Sequence, residues 1–446
     1  MAANAAFIQN LYLITRYDRY LALLSEREIL MKDDTLAIHG GFKDDSSSGA
    51  TTVPIYQTVS YAYKTAQELA DVFDGKAPGY IYTRIANPTT AALEARLTEL
   101  EDGIGCIATS SGMAAIASVV MGLVRAGDEI VAAAGIFGGT VSLFKNTLGR
   151  FDVKTTLVDA ADSECFAKAV NKKTKLIFIE TIGNPRMDVP DIPAIAEIAH
   201  RDNIPLIVDN TVTTPFLVKP KKFGADIVVH STSKFINGHG TAIGGAIIDT
   251  GSYDWSDGPF EDIKQLSEKA GQLAFLTHLR NLIYRDLGGC PAPMNSFLML
   301  QGLETLPGRM AKHCENAEKL ANYLRGRPNV CWVNYPGLES SEFHSRVVKL
   351  FNGRGGGLLT FGLGDKQKAF KFIDSVKLAK NLANLGDAKT LVIHPSSTIF
   401  HEFSLEQQKQ MGVTEDMVRV SAGIEDFEDI KGDFEQAIEK VYEVEK

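Results

Sequence analysis

No run of about 18 consecutive apolar residues occurs in this 446-residue chain, so a membrane-spanning helix is not expected. Cysteine is sparse: five residues, at 106, 165, 290, 314 and 331, odd in number and never in CxxC spacing. That pattern argues against a disulfide framework and a zinc site, so no metal centre is expected and a reducing cytoplasm is. Basic runs are missing too. Lys plus Arg (46) fall short of Asp plus Glu (55), leaving a formal charge of −9. Nucleic acid and anionic membrane are poor partners for such a surface. Repeats and low-complexity tracts are absent, and SSSGA (46–50) is only a short flexible stretch. The opening MAANAAFIQNLYLITRYDRYLALLSEREILMKDD carries arginines inside and after its apolar part. It lacks a basic segment followed by a clean apolar block, so no secretory signal is expected. Residues 1–30 read as an arm, disordered or clasping a partner, with Met31 as an alternative start.

What is present is ordinary for a folded protein: 45% hydrophobic and 23% charged residues, in a chain long enough for two or more domains. From about residue 104 short apolar runs alternate with amphipathic stretches. GCIATSS (105–111), DEIVAAA (128–134), TKLIFIET (174–181), IPLIVDN (204–210) and ADIVVHS (225–231) read as strands. MAAIASVVMGLV (113–124) and AIAEIAHR (194–201) read as helices between them. The alternation predicts an α/β fold with a mostly parallel central sheet flanked by helices. From about residue 295 the pattern changes. Residues 295–324 read as a long helical stretch interrupted near Pro307-Gly308, followed by CWVNYPG and GGGLLTFGL. The expected division is an N-terminal arm and extension (1–75), a large domain (76–294) and a smaller α/β C-terminal domain (295–446).

In parallel sheets, sites form beyond the carboxyl ends of strands. That rule singles out Ser110-Ser111-Gly112, Asn184, Asp209 and the group Ser231 to Lys234. A lysine past a strand is ordinarily a surface charge. In an α/β crevice, burial lowers its proton affinity and suits it to Schiff-base chemistry with a carbonyl. The hydroxyls of Ser231 and Ser233 flank it, placed to bind a phosphate. Ser111-Gly112-Met113-Ala114 opens a helix, either as a plain N-cap or as an anion cradle. Asp209 is either a cap or a buried acid awaiting a cation. A Schiff-base lysine, a phosphate cradle and an acid for a ring nitrogen together describe pyridoxal 5'-phosphate.

Seven motifs in order carry a family resemblance: YTRIANPT (82–89), SSGMAA (110–115), ETIGNP (180–185), VDNT (208–211), HSTSKFINGHG (230–240), LGDAKTLVIHPSST (385–398) and RVSAGIED (419–426). From about Thr35 to its end the chain resembles the cysteine/methionine-metabolism family of pyridoxal-phosphate enzymes. The resemblance implies the aspartate-aminotransferase-like (type I) fold. RDLGGCPAPMNSFLMLQGLETL (285–306) and NLANLGDAKTLVIHPSST (381–398) are most similar to its O-acetylhomoserine sulfhydrylase branch.

The implied roles follow residue by residue. Lys234 resembles the lysine that bonds the cofactor and then moves protons, and Asp209 the acid that keeps the pyridine nitrogen protonated. Ser231, Ser233, Gly112 and Met113 match the phosphate site. Tyr82 and Arg84 match residues reaching in from a neighbouring subunit, Arg84 to the phosphate. A homo-oligomer is therefore implied, a tetramer built from dimers. Asn184 matches the residue near the cofactor's phenolic oxygen, Arg419 the arginine gripping the substrate α-carboxylate, and Asn384 the residue beside that carboxylate. The implied substrates are an acyl-homoserine and sulfide or a thiol, yielding homocysteine or methionine.

Two departures stand out. Phe137 occupies the ring-stacking position that usually holds tyrosine, which keeps the stacking and loses a phenolic acid. That favours γ-replacement of acetate, a leaving group needing little acid help, over γ-lyase chemistry. Thr398-Ile399-Phe400 stands where relatives commonly read Thr-Thr-His, which implies a more apolar pocket and leaves the sulfur donor open. The alternatives are cystathionine γ-synthase or methionine γ-lyase activity, γ-replacement by a non-sulfur nucleophile, and a catalytically silent binding scaffold.

Overall fold

The computed structural model describes residues 31–41 and 48–443. The expected arm, residues 1–30, lies outside the described residues, and so does part of SSSGA. No helix among the described residues is long and apolar enough to cross a membrane.

Seven strands form the larger sheet: β1 (Gly105–Thr109), β2 (Glu129–Ala133), β3 (Lys154–Val158), β4 (Thr174–Glu180), β5 (Leu206–Asp209), β6 (Ile227–His230) and β7 (Gly245–Asp249). Their spatial order is β1-β7-β6-β5-β4-β2-β3. β7 runs antiparallel to both its neighbours, and the other pairings are parallel. The mostly parallel sheet is therefore as expected. Two of its strands carry little sequence signal. β3, KTTLV, is partly exposed at the sheet edge and reads polar. β7, GAIID, is fully buried but follows a glycine-rich stretch that masks it.

Helices α1 (Pro88–Leu100), α2 (Gly112–Leu123) and α3 (Ile192–Arg201) carry apolar faces that pack on the sheet. Asn87 accepts a hydrogen bond from Thr89 N–H and caps α1, with Pro88 at the first helical position where its missing N–H costs nothing.

The expected break near Pro307-Gly308 falls earlier. α4 (Pro293–Glu304) ends at Thr305, and α5 (Leu306–Arg325) begins at once. Proline sits well in a first turn, so Pro307 starts a helix here instead of interrupting one. α5 joins two cores. Leu306, Met310 and Cys314 pack with the large sheet, whereas Ala317, Leu320 and Leu324 pack with the second. That second sheet holds β8 (Trp332–Asn334), β9 (Leu358–Gly362), β10 (Lys380–Asn381), β11 (Leu391–Ile393) and β12 (Met417–Ser421), in the order β10-β11-β12-β9-β8. α6 (Phe427–Tyr442) covers it through Ile430, Phe434 and Ala437.

A buried ion pair fixes α1 to β1. Arg280 Nη2 lies 2.8 Å from Glu94 Oε1, which also accepts from Ala108 N–H at 3.0 Å. Removing one partner strands a buried charge. Glu94→Ala is expected to lower stability in denaturant unfolding by about 3–5 kcal/mol. A loss under about 1 kcal/mol, the scale of an exposed pair, would contradict the burial argument.

Candidate active site

Parallel pairing brings the ends of β4, β5 and β6 level. Glu180 pairs in register with Asp209, and Asp209 with Val229. The chain beyond each end therefore opens onto one crevice, a cavity of about 320 Å³. Asp209, Lys234, Ser231, Ser233, Gly112, Met113, Phe137, Asn184, Asn384 and Arg419 all line it. Ten of the twelve residues to which the resemblance assigns a role thus meet in one place.

Tyr82 and Arg84 do not. Tyr82 is 41% exposed. The Arg84 guanidinium lies 5.5 Å from the Tyr82 ring centroid and donates to the Arg285 carbonyl. Within one chain both sit outside the cavity wall.

The acid end is held by main-chain donors. Asp209 Oδ1 accepts from Thr211 N–H at 2.9 Å, and Thr211 Oγ1 in turn accepts from Ser231 N–H at 2.8 Å. Burial pushes the Asp209 carboxyl above the usual range, and the Thr211 bonds oppose that rise. Glu180 goes further up, through burial first and the adjacent Asp209 charge second. Its Oε1 accepts from Phe137 N–H at 2.8 Å. Two carboxyls at neighbouring strand ends disfavour double ionisation.

The cationic side is built from both sheets. Lys234 Nζ donates to Asn384 Oδ1 at 2.7 Å. Burial, then the Arg419 charge, lowers the lysine to about 8. Arg419, on β12, donates through Nη1 to Asn184 Oδ1 at 3.1 Å and through Nη2 to the Asn384 carbonyl at 2.8 Å. Its side chain is buried, its Nε has no partner, and no carboxylate pairs with it among the described residues. Burial lowers its proton affinity to about 10. A buried guanidinium without a counter-ion is costly, which makes it a receptor for an anionic ligand group.

The anion cradle lies at the start of α2. Ser111 Oγ accepts from Ala114 N–H at 3.0 Å, so this serine is spent as the N-cap. The first-turn N–H groups that follow have no partner within the helix. A Cβ on Gly112 would lie 2.6 Å from Ser231 Cβ and 2.9 Å from its Cα, so only glycine allows the two cradle walls to meet. Ser233 Oγ donates to the Gly244 carbonyl at 3.1 Å and accepts from Gly244 N–H at 3.0 Å. Its hydroxyl therefore braces the glycine-rich turn while still lining the cavity.

Seven lining residues have no role assigned from the sequence, Glu180, Thr140, Thr211 and Val212 among them. Glu180 was findable, because it is a carboxylate closing an apolar strand in the same way as Asp209. Of the Ile399-Phe400 departure, Ile399 lines the cavity. Phe400 is fully buried, next to Gly138, where an added Cβ would lie 3.3 Å from its ring. The apolar change therefore reaches the cavity through one residue.

A crevice with an anion cradle, a buried amine of lowered proton affinity and a strand-end acid is the plan of a type I pyridoxal-phosphate enzyme. The comparisons agree. Residues 34–439 match the model of the Cys/Met metabolism PLP-dependent enzyme family, and the chain belongs to it. Its cofactor is pyridoxal 5'-phosphate. An O-acetyl-L-homoserine sulfhydrylase of Leptospira meyeri is 42% identical, over 92% of this chain and 97% of its own. A homocysteine/cysteine synthase of Saccharomyces cerevisiae is 42% identical over 92% and 98%. Among solved structures, one described as an O-acetylhomoserine (thiol)-lyase from Campylobacter jejuni, with a pyridoxyl-lysine monophosphate in its chain, has a TM-score of 0.85 at 36% identity, covering 92% of this chain and 100% of that one. A cystathionine gamma-lyase from Lactobacillus plantarum, complexed with L-serine, gives 0.80 at 30%, covering 92% and 99%.

The residues present fit the cofactor: the unpaired guanidinium, the glycine-walled cradle and the buried acid each lack the partner that it or its substrate supplies. The lowered lysine sets a pH window. Below about 8 the Lys234 amine is mostly protonated, and above it mostly free to attack an aldehyde. Uptake of pyridoxal phosphate by cofactor-stripped protein should reach half its maximal rate near pH 8, against 10.5 for an ordinary lysine. Arg419→Leu removes a repelling charge and should move that midpoint upward. A wild-type midpoint near 10.5 would contradict the burial of the amine.

Proposed function

We propose that the chain catalyses γ-replacement on O-acetyl-L-homoserine by sulfide or a thiol, releasing acetate and giving homocysteine or methionine, in methionine biosynthesis. In this exchange the γ carbon–oxygen bond breaks and a γ carbon–sulfur bond forms. The observation carrying the proposal is Arg419: a buried, unpaired guanidinium joined to the reactive amine through a single residue, Asn384. A carboxylate receptor next to a proton-transferring group is what an α-amino acid substrate requires, which supports this reading. The sulfhydrylases and homocysteine synthases about 42% identical to this chain support the substrate.

When bound, pyridoxal phosphate supplies an electron sink for the substrate's α carbon. The protein supplies the rest. Gly112, Met113, Ser231 and Ser233 hold the phosphate. Asp209 would keep the ring nitrogen protonated. Phe137 would stack on the cofactor ring, and Asn184 would serve its phenolic oxygen. Arg419 grips the α-carboxylate with two parallel N–H donors, and Asn384 sits beside it. Lys234 Nζ removes the α and β protons in turn and returns a proton to each of these carbons once the sulfur has added. Phe137 offers no phenolic proton, which suits acetate as the departing group.

Tyr82 and Arg84 complete the site from a second copy of the chain, so the working form is a homo-oligomer, a dimer or a tetramer built from dimers, in the cytoplasm. Ile55, Val59, Ile243, Leu287 and Met294 are exposed apolar side chains available to such a contact.

Lys234→Ala is expected to abolish both turnover and the visible cofactor absorbance; a variant that keeps both would remove this lysine from the mechanism. Mixing inactive Lys234→Ala with inactive Arg84→Ala should restore about a quarter of the wild-type rate, since random pairing of copies leaves one intact site in half of the dimers. No recovery would mean that each chain completes its own site. Assays of acetate release with sulfide, with cysteine and with no nucleophile separate the outcomes. The replacement reading expects sulfide or a thiol to be required, whereas rapid ketobutyrate formation without a thiol would make the enzyme a lyase.

A further inference from the structure

The ladder between β5 and β6 stops just before the site. Its last main-chain bond runs from Asn210 N–H to the Val229 carbonyl at 2.9 Å. Beyond that point the chain following Asp209 and the segment Ser231 to Lys234 are tied through side chains: Ser231 N–H donates to Thr211 Oγ1 at 2.8 Å, and a second tie lies deeper. One carboxylate spans the gap. Glu101, which follows α1, is fully buried. Its Oε1 lies 2.6 Å from His230 Nε2 and also accepts from Asn210 Nδ2 at 2.8 Å.

His230 directly precedes Ser231, and Asn210 directly follows Asp209. A single oxygen therefore ties together the residues adjacent to the phosphate hydroxyl and to the ring acid. The tie is braced further. Asn210 Nδ2 also donates to the Val218 carbonyl at 3.1 Å, and Thr213 donates to Asn210 Oδ1. Thr213 Oγ1 lies 2.7 Å from Thr181 Oγ1, at the end of β4. None of Glu101, His230 and Asn210 lines the cavity.

We propose that Glu101 and His230 are positioning residues: a clamp behind the cofactor that fixes the separation of Asp209 from Ser231 and Lys234. The mechanics are those of any preorganised site, where a buried outer bond fixes the rotamers and spacing of the groups that touch the ligand. The imidazole Nε2–H donates to the carboxylate, a charge-assisted bond in a dry setting. The clamp holds only with Asp209 and Lys234 as the cofactor's partners, the assignment proposed above.

The test titrates pyridoxal phosphate into the cofactor-stripped full-length chain and its variants, with thermal unfolding followed in parallel. Glu101→Ala and His230→Ala are each expected to weaken cofactor binding about tenfold, the scale of outer-shell changes. The double variant should lose little more than the worse single one, because both break the same bond. Glu101→Gln, which keeps an accepting oxygen, should recover most of the affinity. Should Glu101→Ala fail to fold, His230→Ala reads the same bond from the other strand. Cofactor affinity unchanged in folded Glu101→Ala or His230→Ala, with only the unfolding temperature reduced, would overturn the clamp. So would losses that multiply in the double variant. Lys234→Ala run alongside keeps the two ideas apart: if it binds and absorbs like wild type, the assignment of the cofactor partners fails whatever the clamp variants do.

Discussion

The whole site depends on the level register of three parallel strands. Because β4, β5 and β6 end together, Glu180, Asp209 and the chain leading to Lys234 arrive at one rim. A slip of one residue would turn each of these side chains to the other face of the sheet. Everything else is brought to that rim from outside it. The start of α2 supplies the anion cradle, and β12 of the second sheet delivers Arg419. α5, which packs into both cores, holds the two sheets in one body.

The cavity gathers two cationic and two acidic side chains, and none of the four forms an ion pair among the described residues. Lys234 bonds to an amide oxygen, Arg419 to an amide oxygen and a carbonyl, and Asp209 and Glu180 to main-chain N–H groups. Neutral partners orient the charges without quenching them. Such a site is preorganised for a ligand carrying several charges, and the electrostatic work is done on folding instead of at the moment of reaction. The shared proton demand of Glu180 and Asp209 follows from the same register that brings them side by side.

Much of this was legible in the sequence, for a definite reason. Buried parallel strands are apolar throughout, so β1, β2, β4, β5 and β6 stand out, and the polar residue closing each run marks the crevice. The rule located Asp209, Asn184, Ser231 and Lys234. It failed where the signal is diluted: β3 is partly exposed and polar, and β7 follows glycines. Pro307 read as a helix breaker because sequence alone does not place it in a first turn. Glu180 met the strand-end rule and was passed over. Tyr82 and Arg84, which the resemblance assigned to the site, stand apart from the cavity within one chain. The Glu101 contact joins positions 129 residues apart through one oxygen, a relation that only the folded backbone reveals.

The most direct test of the central claim is chemical. Reducing the cofactor-loaded enzyme with borohydride fixes the pyridoxyl group to its lysine, and peptide mapping then finds it. The account predicts a single modified peptide, carrying the pyridoxyl group on Lys234. Modification at another lysine, or spread over many, would contradict it.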